Sequence, residues 1–152
     1  MTRNIVIFLF GLLLLLSSCG HSVAYNAFVS LPMEGWHEDS VLSYDVCVAD
    51  STIDYDILIV VRHTNKYAYQ NLWLFVDEYV GDQHISRDTI EAMVADDYGR
   101  WLSRGFNTYE LPLQYATSYR FASASHNRIT IQQGMRSSCL KGISDMGIKV
   151  IY

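Results

Sequence analysis

The fold of this 152-residue chain is decided by the run YDILIVVR at residues 55–62. β-Branched and aliphatic side chains dominate the run, and such residues favour strands. Side chains of an extended segment alternate between two faces, so Tyr55, Ile57, Ile59 and Val61 form one continuous apolar face. The run therefore predicts a strand that packs one face against a core.

Further strands are predicted on both sides of this run. Residues 41–48 alternate, with Leu42, Tyr44, Val46 and Val48 on one face. Residues 71–80 are apolar on both faces for most of their length, as in a central strand. The remaining predicted elements are a turn at Gly81-Asp82, the second arm of a hairpin at 85–93, and two closing strands at 128–132 and 147–152.

Helices contribute little to this pattern. The best helical candidate is one turn around Tyr115 to Tyr119, and residues 137–144 read as a loop of small residues. Several short strands with regular turn signals are typical of a β-sandwich. We therefore predict an all-β fold, an antiparallel β-sandwich of the jelly-roll or immunoglobulin-like type.

The first residues indicate export. A start containing Arg3 precedes an apolar run at residues 5–16, which is shorter than the ~20 residues of a spanning helix. The sequence LSSC at residues 16–19 has the order of a bacterial lipobox, an aliphatic residue and two small residues before cysteine. We predict a cleaved lipoprotein signal peptide at 1–18, a lipidated tether at 19–25 and one sandwich domain at 26–152. The alternative is an ordinary signal peptide that contains a cysteine by chance.

Lipid on Cys19 would make this residue a membrane anchor, because acyl chains on one residue give stable anchoring. Removing residues 1–18 leaves 134 residues (152 minus 18), enough for a single core. Loss of Arg3 takes the formal charge from −5 to −6. An acidic domain is a poor binder of nucleic acid, so we expect no nucleic-acid partner.

Two cysteines remain in the predicted domain, Cys47 and Cys139. An oxidising compartment would allow one disulfide between them, and the alternative is two free thiols on separate strands. The sequence has no Cys-x-x-Cys and its five histidines are scattered, so we expect neither a metal site nor a cofactor.

Residues 99–106, GRWLSRGF, form the most unusual segment of this acidic chain. Arginine and tryptophan carry much of the binding energy at protein interfaces, which makes Arg100, Trp101 and Arg104 a candidate interaction surface. The alternative is that Trp101 fills the edge of the core while the arginines pair with Asp96 and Asp97. Trp36 joins the candidate surface, although it also reads as a lid over the core.

Catalytic patterns are weak. Asp96, Asp97 and Glu91 are acidic neighbours, but they lack the alternating spacing of a calcium loop. His63 reads as a surface or half-buried strand-end residue, with Asp56 near it. No Gly-x-Ser-x-Gly nucleophile elbow occurs, so the interpretation is that the protein is not an enzyme and takes no small-molecule substrate.

Several motifs, in order, resemble the gliding motility lipoprotein GldH family of Bacteroidetes. They are LSSC at 16–19, GWHEDS at 35–40, residues 55–62, NLWLFV at 71–76, DDYGRWLSRG at 96–105, QGMR at 133–136 and LKGISDMGI at 140–148. Gly134 stands where the family pattern has alanine, and residues 107–119 match less well. The resemblance implies a non-enzymatic envelope lipoprotein that works with the gliding machinery and its associated protein secretion system.

Three functions follow from these observations. The first is a lipid-tethered accessory or scaffold protein that binds other envelope proteins, and the second is a glycan-binding module, which requires Trp36, Trp73 or Trp101 to be exposed. The third is a hydrolase that uses Asp96, Asp97 and His63. Many surface-exposed lipoproteins of this phylum carry a run of acidic residues just after the lipidated cysteine. This chain has no such run after Cys19, and its absence favours an outer-membrane location facing the periplasm.

Overall fold

The computed structural model describes residues 22–152, so Cys19 and the predicted signal peptide lie outside the described part. Within that part the chain forms eleven strands and no helix, hence none that could cross a membrane. The strands are β1 (Val23–Ser30), β2 (Trp36–His37), β3 (Leu42–Val46), β4 (Tyr55–Thr64), β5 (Asn71–Val80), β6 (Gln83–Met93), β7 (Arg104–Gly105), β8 (Thr108–Tyr119), β9 (Asn127–Gln133), β10 (Cys139–Leu140) and β11 (Ile143–Ile151).

Two antiparallel sheets pack face to face, which confirms the predicted all-β sandwich. One sheet has five strands in the order β1-β11-β4-β8-β7, and the other has four in the order β3-β9-β5-β6. The short strands β10 and β2 form a third, two-stranded pair. Each strand pairs antiparallel with its neighbour.

The core lies between the sheets and consists of the apolar faces that alternation predicts. The predicted faces of β3 and β4 are buried, with Val46, Ile57, Ile59 and Val61 fully excluded from solvent. The Tyr44 hydroxyl donates a 2.8 Å hydrogen bond to the backbone oxygen of Met146, which joins the two sheets. The buried Tyr44 hydroxyl therefore has a hydrogen-bond partner, as buried polar atoms in folded proteins generally do.

The predicted hairpin is formed by β5 and β6, and β5 is an inner strand of its sheet. Leu72, Leu74 and Val76 face the core and are fully buried. Trp73 is 37% exposed on the other face of β5, so only one face of this strand is covered by the second sheet.

Two segment predictions were wrong. Residues 115–119 belong to strand β8, in which Leu111, Leu113 and Tyr115 point to the core and β4 supplies the backbone partners. The alternation continues through Pro112, which is exposed on the other face and lies beyond the part of β8 that pairs with β7. The predicted loop at 137–144 contains β10 and the first residues of β11.

The start of the domain also differs from the sequence prediction. Strand β1 begins at Val23, so residues 23–25 belong to the sheet and not to the tether. Backbone pairing with β11 holds them, and Ser22 and Tyr152 exchange two 3.0 Å hydrogen bonds beside it. The pairing partner is at the other end of the chain, which local sequence cannot indicate.

The sandwich has two ends that matter for function. Tyr55 pairs with Tyr119 and Asp56 with Ile151, so they share one end, the near end, with the start of β1. Thr64 pairs with Thr108 at the opposite end, the far end. Nine residue steps of β4 separate the two ends, about 30 Å at ~3.3 Å per residue.

Candidate interaction surface

Residues 94–107 form a loop at the far end of the sandwich, between β6 and the start of β8. The Leu102 amide donates a 2.9 Å hydrogen bond to the Val94 carbonyl, and Ala95 and Trp101 form an isolated β-bridge. The loop is therefore a small hairpin that continues past the sheet edge. The predicted segment Arg100–Arg104 occupies its returning arm.

Asp96 fixes the tip of this hairpin. Its carboxylate accepts hydrogen bonds from the Tyr98 amide and the Arg100 amide, both 2.9 Å, and from Arg100 Nε at 2.7 Å. These contacts lower the pKa of Asp96, the largest cause being the Arg100 amide. Gly99 turns the chain with φ +75°, a left-handed conformation that glycine adopts without strain. The tip is thus held by its own short-range contacts.

Trp101 is half-buried and packs against the core. Its indole Nε1 donates a 2.9 Å hydrogen bond to Asn65 Oδ1, and its ring meets the His63 ring edge-on at 4.6 Å between centroids. The main role of Trp101 is therefore to attach the loop to the sandwich through its packing and its hydrogen bond. Of the two predicted pairings, Arg100 does contact Asp96, whereas Asp97 accepts a 3.4 Å hydrogen bond from Gln70.

His63 supports the loop from beneath and is fully buried, so its prediction as a surface or half-buried residue was wrong. Its ring stacks on Tyr109 at 5.3 Å, and its Nε2 lies 2.7 Å from Ser103 Oγ. Burial lowers the pKa of His63, which favours the neutral ring. A neutral Nε2 can accept the Ser103 hydroxyl proton while Nδ1 donates to the Thr64 carbonyl at 3.3 Å.

The exposed part of the loop is apolar and cationic. Tyr98 is 85% exposed, Leu102 53% and Phe106 88%. Arg104 is exposed and makes no side-chain hydrogen bond or ion pair within residues 22–152. We call Tyr98, Leu102, Arg104 and Phe106 the far-end loop surface. The sequence pointed to this segment through its arginines and tryptophan but gave no sign that Leu102 and Phe106 would be its exposed members.

Trp36 does not belong to an exposed surface. Its side chain is fully buried in the core, and its Nε1 donates a 2.8 Å hydrogen bond to the Ser40 carbonyl. The β2–β10 pair holds it there through the register of Trp36 with Leu140. Its place in the candidate surface is therefore corrected, and its role as a lid over the core is the one that fits.

Cys47 and Cys139 are free thiols in this structure, so the disulfide alternative is not the one observed. Cys47 follows the last residue of β3, which pairs with Asn127, whereas Cys139 pairs with His37 on β2. The Cys139 thiol donates instead to the Glu34 carbonyl at 3.4 Å. Cys47 follows β3 of the four-stranded sheet and Cys139 lies in β10 of the two-stranded pair, so the two cysteines lie in different parts of the fold.

The residues of the hydrolase hypothesis are engaged elsewhere. Asp96 is bound by Arg100, Asp97 accepts from Gln70, and His63 has no hydrogen bond to a carboxylate in the described part. Asp56, expected near His63, lies at the near end and accepts the Ser118 amide at 3.0 Å. Within residues 22–152 no three His, Cys, Asp or Glu side chains gather as a metal site would require. These contacts assign structural roles to the polar residues around the loop.

Comparison with known proteins identifies the relatives of this arrangement. Residues 23–150 match the GldH lipoprotein family, which covers the whole sandwich except its last residues. The chain belongs to the GldH lipoprotein family. It is 31% identical, over 97% of its length and 94% of the relative's, to a gliding motility lipoprotein GldH homolog of Christiangramia forsetii. It is also 30% identical, over 90% of its length and 89% of the relative's, to the gliding motility lipoprotein GldH of Flavobacterium johnsoniae.

Solved structures resemble this GldH family member only loosely. The tobacco streak virus coat protein matches 84% of the chain and 86% of its own length with 8% identity and a TM-score of 0.28. The infectious bursal disease virus protein VP2 matches 87% of the chain and 31% of its own length with 15% identity and a TM-score of 0.30. The GldH family relationship therefore rests on the sequence matches.

Proposed function

We propose that this protein is a non-enzymatic accessory or scaffold component of the gliding motility machinery and its associated protein secretion system. Lipid on Cys19 anchors it in the outer membrane, facing the periplasm, and the far-end loop surface binds a neighbouring envelope protein. Membership of the GldH family supports a role with the gliding machinery, because both curated relatives are named as a gliding motility lipoprotein or its homologue.

The observation that carries the binding role is the far-end loop surface itself. Leu102 and Phe106 expose apolar side chains on a loop that Asp96 and Trp101 hold in place. A preformed loop loses little conformational entropy on binding, so its apolar area is available for affinity. The unpaired Arg104 beside it adds a residue type enriched at interfaces.

The two ends of the sandwich support the same arrangement. Ser22 is fixed to Tyr152 at the near end, and only three residue steps separate it from Cys19. Three extended steps reach about 11 Å at most. An anchored Cys19 would therefore keep the near end close to the membrane, while the far-end loop surface, about 30 Å away along β4, would project toward other proteins.

Crosslinking and pulldown of the tagged protein from intact envelopes tests the proposal. Wild type is compared with the double variant Leu102→Ser/Phe106→Ser, with Cys19→Ala, and with Ile85→Ser as a matched control. Ile85 is 51% exposed, as Leu102 is at 53%, but it lies on β6 outside the loop.

We expect wild type and Ile85→Ser to recover the same motility or secretion protein and the double variant to lose it. Cys19→Ala should lose incorporation of labelled fatty acid. Equal recovery by the double variant, in a protein of unchanged unfolding midpoint, would contradict the proposed surface. Fatty-acid labelling of Cys19→Ala at the wild-type level would contradict the anchor.

A further inference from the structure

A second exposed aromatic site lies on the outer face of the four-stranded sheet, and none of the residues of the far-end loop surface lines it. It is an open groove of about 520 Å³. Its lining includes Trp73 and Phe75 of β5, Tyr69 and Asn71 before or at the start of that strand, and Met135 and Arg136 after β9. Volumes of this size accommodate small ligands, including one or two sugar rings.

The aromatic floor of the groove is accessible. Trp73 is 37% exposed and Tyr69 is 43% exposed, in contrast to the fully buried Trp36. Gly134 keeps the floor open beside Phe75, because a Cβ at this position would lie 3.2 Å from the Phe75 ring. Trp73 and Tyr69 therefore both present part of their aromatic rings to solvent in this groove.

A buried side chain holds in place the loop that forms one wall of the groove. Gln133 is 3% exposed, and its amide uses both of its ends on the loop that follows β9. Its Oε1 accepts the Met135 amide at 2.8 Å, and its Nε2 donates to the Ser137 carbonyl at 2.8 Å. The Trp73 amide in turn points to Met135 Sδ at 3.3 Å. The loop that carries Arg136 is thus fixed relative to the aromatic floor without a ligand.

The positive charge at the groove indicates which class of ligand it binds. Arg136 makes no hydrogen bond or ion pair within the described residues, so its guanidinium is available to an anion at the groove. Asn71 and Thr89 add polar side chains between the aromatic ones. Asn71 Nδ2 donates to the carboxylate of Glu91, the cross-strand partner of Trp73, so Asn71 offers its Oδ1 to a sugar hydroxyl and Arg136 supplies the positive charge. An apolar peptide anchor would need a closed apolar pocket, whereas a sugar presents C–H faces to an aromatic ring and hydroxyls to polar neighbours. A planar guanidinium matches a carboxylate with two parallel hydrogen bonds.

We propose that this groove binds an acidic glycan, with a sugar ring on Trp73 and a uronate carboxylate on Arg136. The site is separate from the far-end loop surface and does not depend on the proposed protein partner. It gives the protein a contact with polysaccharide of the cell envelope.

Isothermal titration calorimetry on the full lipoprotein in detergent micelles tests the proposal with two hexasaccharides, hexagalacturonate and neutral cellohexaose. Wild type should bind hexagalacturonate more tightly than cellohexaose. Trp73→Ala should weaken hexagalacturonate binding at least tenfold. Arg136→Gln should abolish the preference for the acidic sugar while it keeps the weaker neutral binding.

The matched control is Tyr152→Ala, which removes an exposed aromatic side chain outside both the groove and the far-end loop surface and should bind as wild type does. All variants should keep the unfolding midpoint of wild type, because none of the three side chains is buried in the core. Absence of hexagalacturonate binding at millimolar concentration would overturn the proposal. So would hexagalacturonate binding that survives Trp73→Ala, or equal affinity of wild type for the acidic and the neutral hexasaccharide.

Discussion

Replacing Trp36 by alanine should destabilise the protein strongly, although the sequence alone also allowed Trp36 on the surface. The side chain is fully buried and its Nε1 is hydrogen-bonded to the Ser40 carbonyl. Large-to-small changes of buried aromatic residues cost about 3–5 kcal/mol. Domains unfold with a total of about 5–15 kcal/mol, so Trp36→Ala should remove a large share of the stability.

Urea unfolding followed by circular dichroism measures this change. We expect the free energy of unfolding to fall by about 4 kcal/mol. The melting temperature should fall by roughly 12–20 °C, at about 3–5 °C per kcal/mol for a domain of this size. The slope of the free energy against urea should stay constant, because the fold is unchanged.

Two controls separate burial from aromatic content. Trp36→Phe keeps most of the volume but loses the hydrogen bond, so it should cost about 1–2 kcal/mol. Tyr98→Ala removes an 85% exposed ring and should change stability by less than about 0.5 kcal/mol. A Trp36→Ala protein within about 1 kcal/mol of wild type would refute the placement of Trp36 in the core.

Three other changes test separate parts of the fold. Gly142→Ala should cost about 2 kcal/mol or more by denaturant unfolding, because φ is +92° and a Cβ would meet the backbone of a neighbouring loop; wild-type stability would count against this strain. Asp77 is buried and bonded to Arg87 and His84, which lowers its pKa, so Asp77→Asn should cost about 1–2 kcal/mol at pH 7. The Asp77 contribution should disappear as pH falls below about 4, and an unchanged acid-unfolding curve in the variant would exclude it. Burial and hydrogen bonds to the carboxyl groups of Glu78 and Asp88 raise the pKa of Tyr115. Above pH ~10 the folded state therefore keeps the Tyr115 proton while the unfolded state loses it. The free energy of unfolding should fall as pH rises past about 10, and it should fall less steeply in Tyr115→Phe.

Alternation predicted the strands in which polar and apolar residues alternate along one short stretch of chain. In β4, apolar residues occupy every second position from Tyr55 to Val61, and the core face of β3 shows the same alternation. The β5–β6 hairpin was predictable because Gly81-Asp82 gives a local turn between two extended runs. Each of these signals lies within about ten residues of chain.

The missed features depend on partners distant in sequence. The start of β1 is fixed by pairing with β11 at the other end of the chain, and β8 is extended because it pairs with β4. Trp36 and Trp101 have the same side chain, so the sequence could not tell that one is fully buried and the other half-buried. The groove beside Trp73 joins β5 to the loop after β9, about 60 residues later, which no local pattern shows.

Contact between the far-end loop surface and another envelope protein can be read by site-specific photocrosslinking in intact cells. A photoreactive residue at position 106 samples the loop, and one at position 52, in the exposed near-end turn before β4, serves as the control. A discrete crosslinked protein at position 106 and none at position 52 is the result we predict. No crosslink at position 106, or the same products at both positions, would contradict a binding surface at the far end of the sandwich.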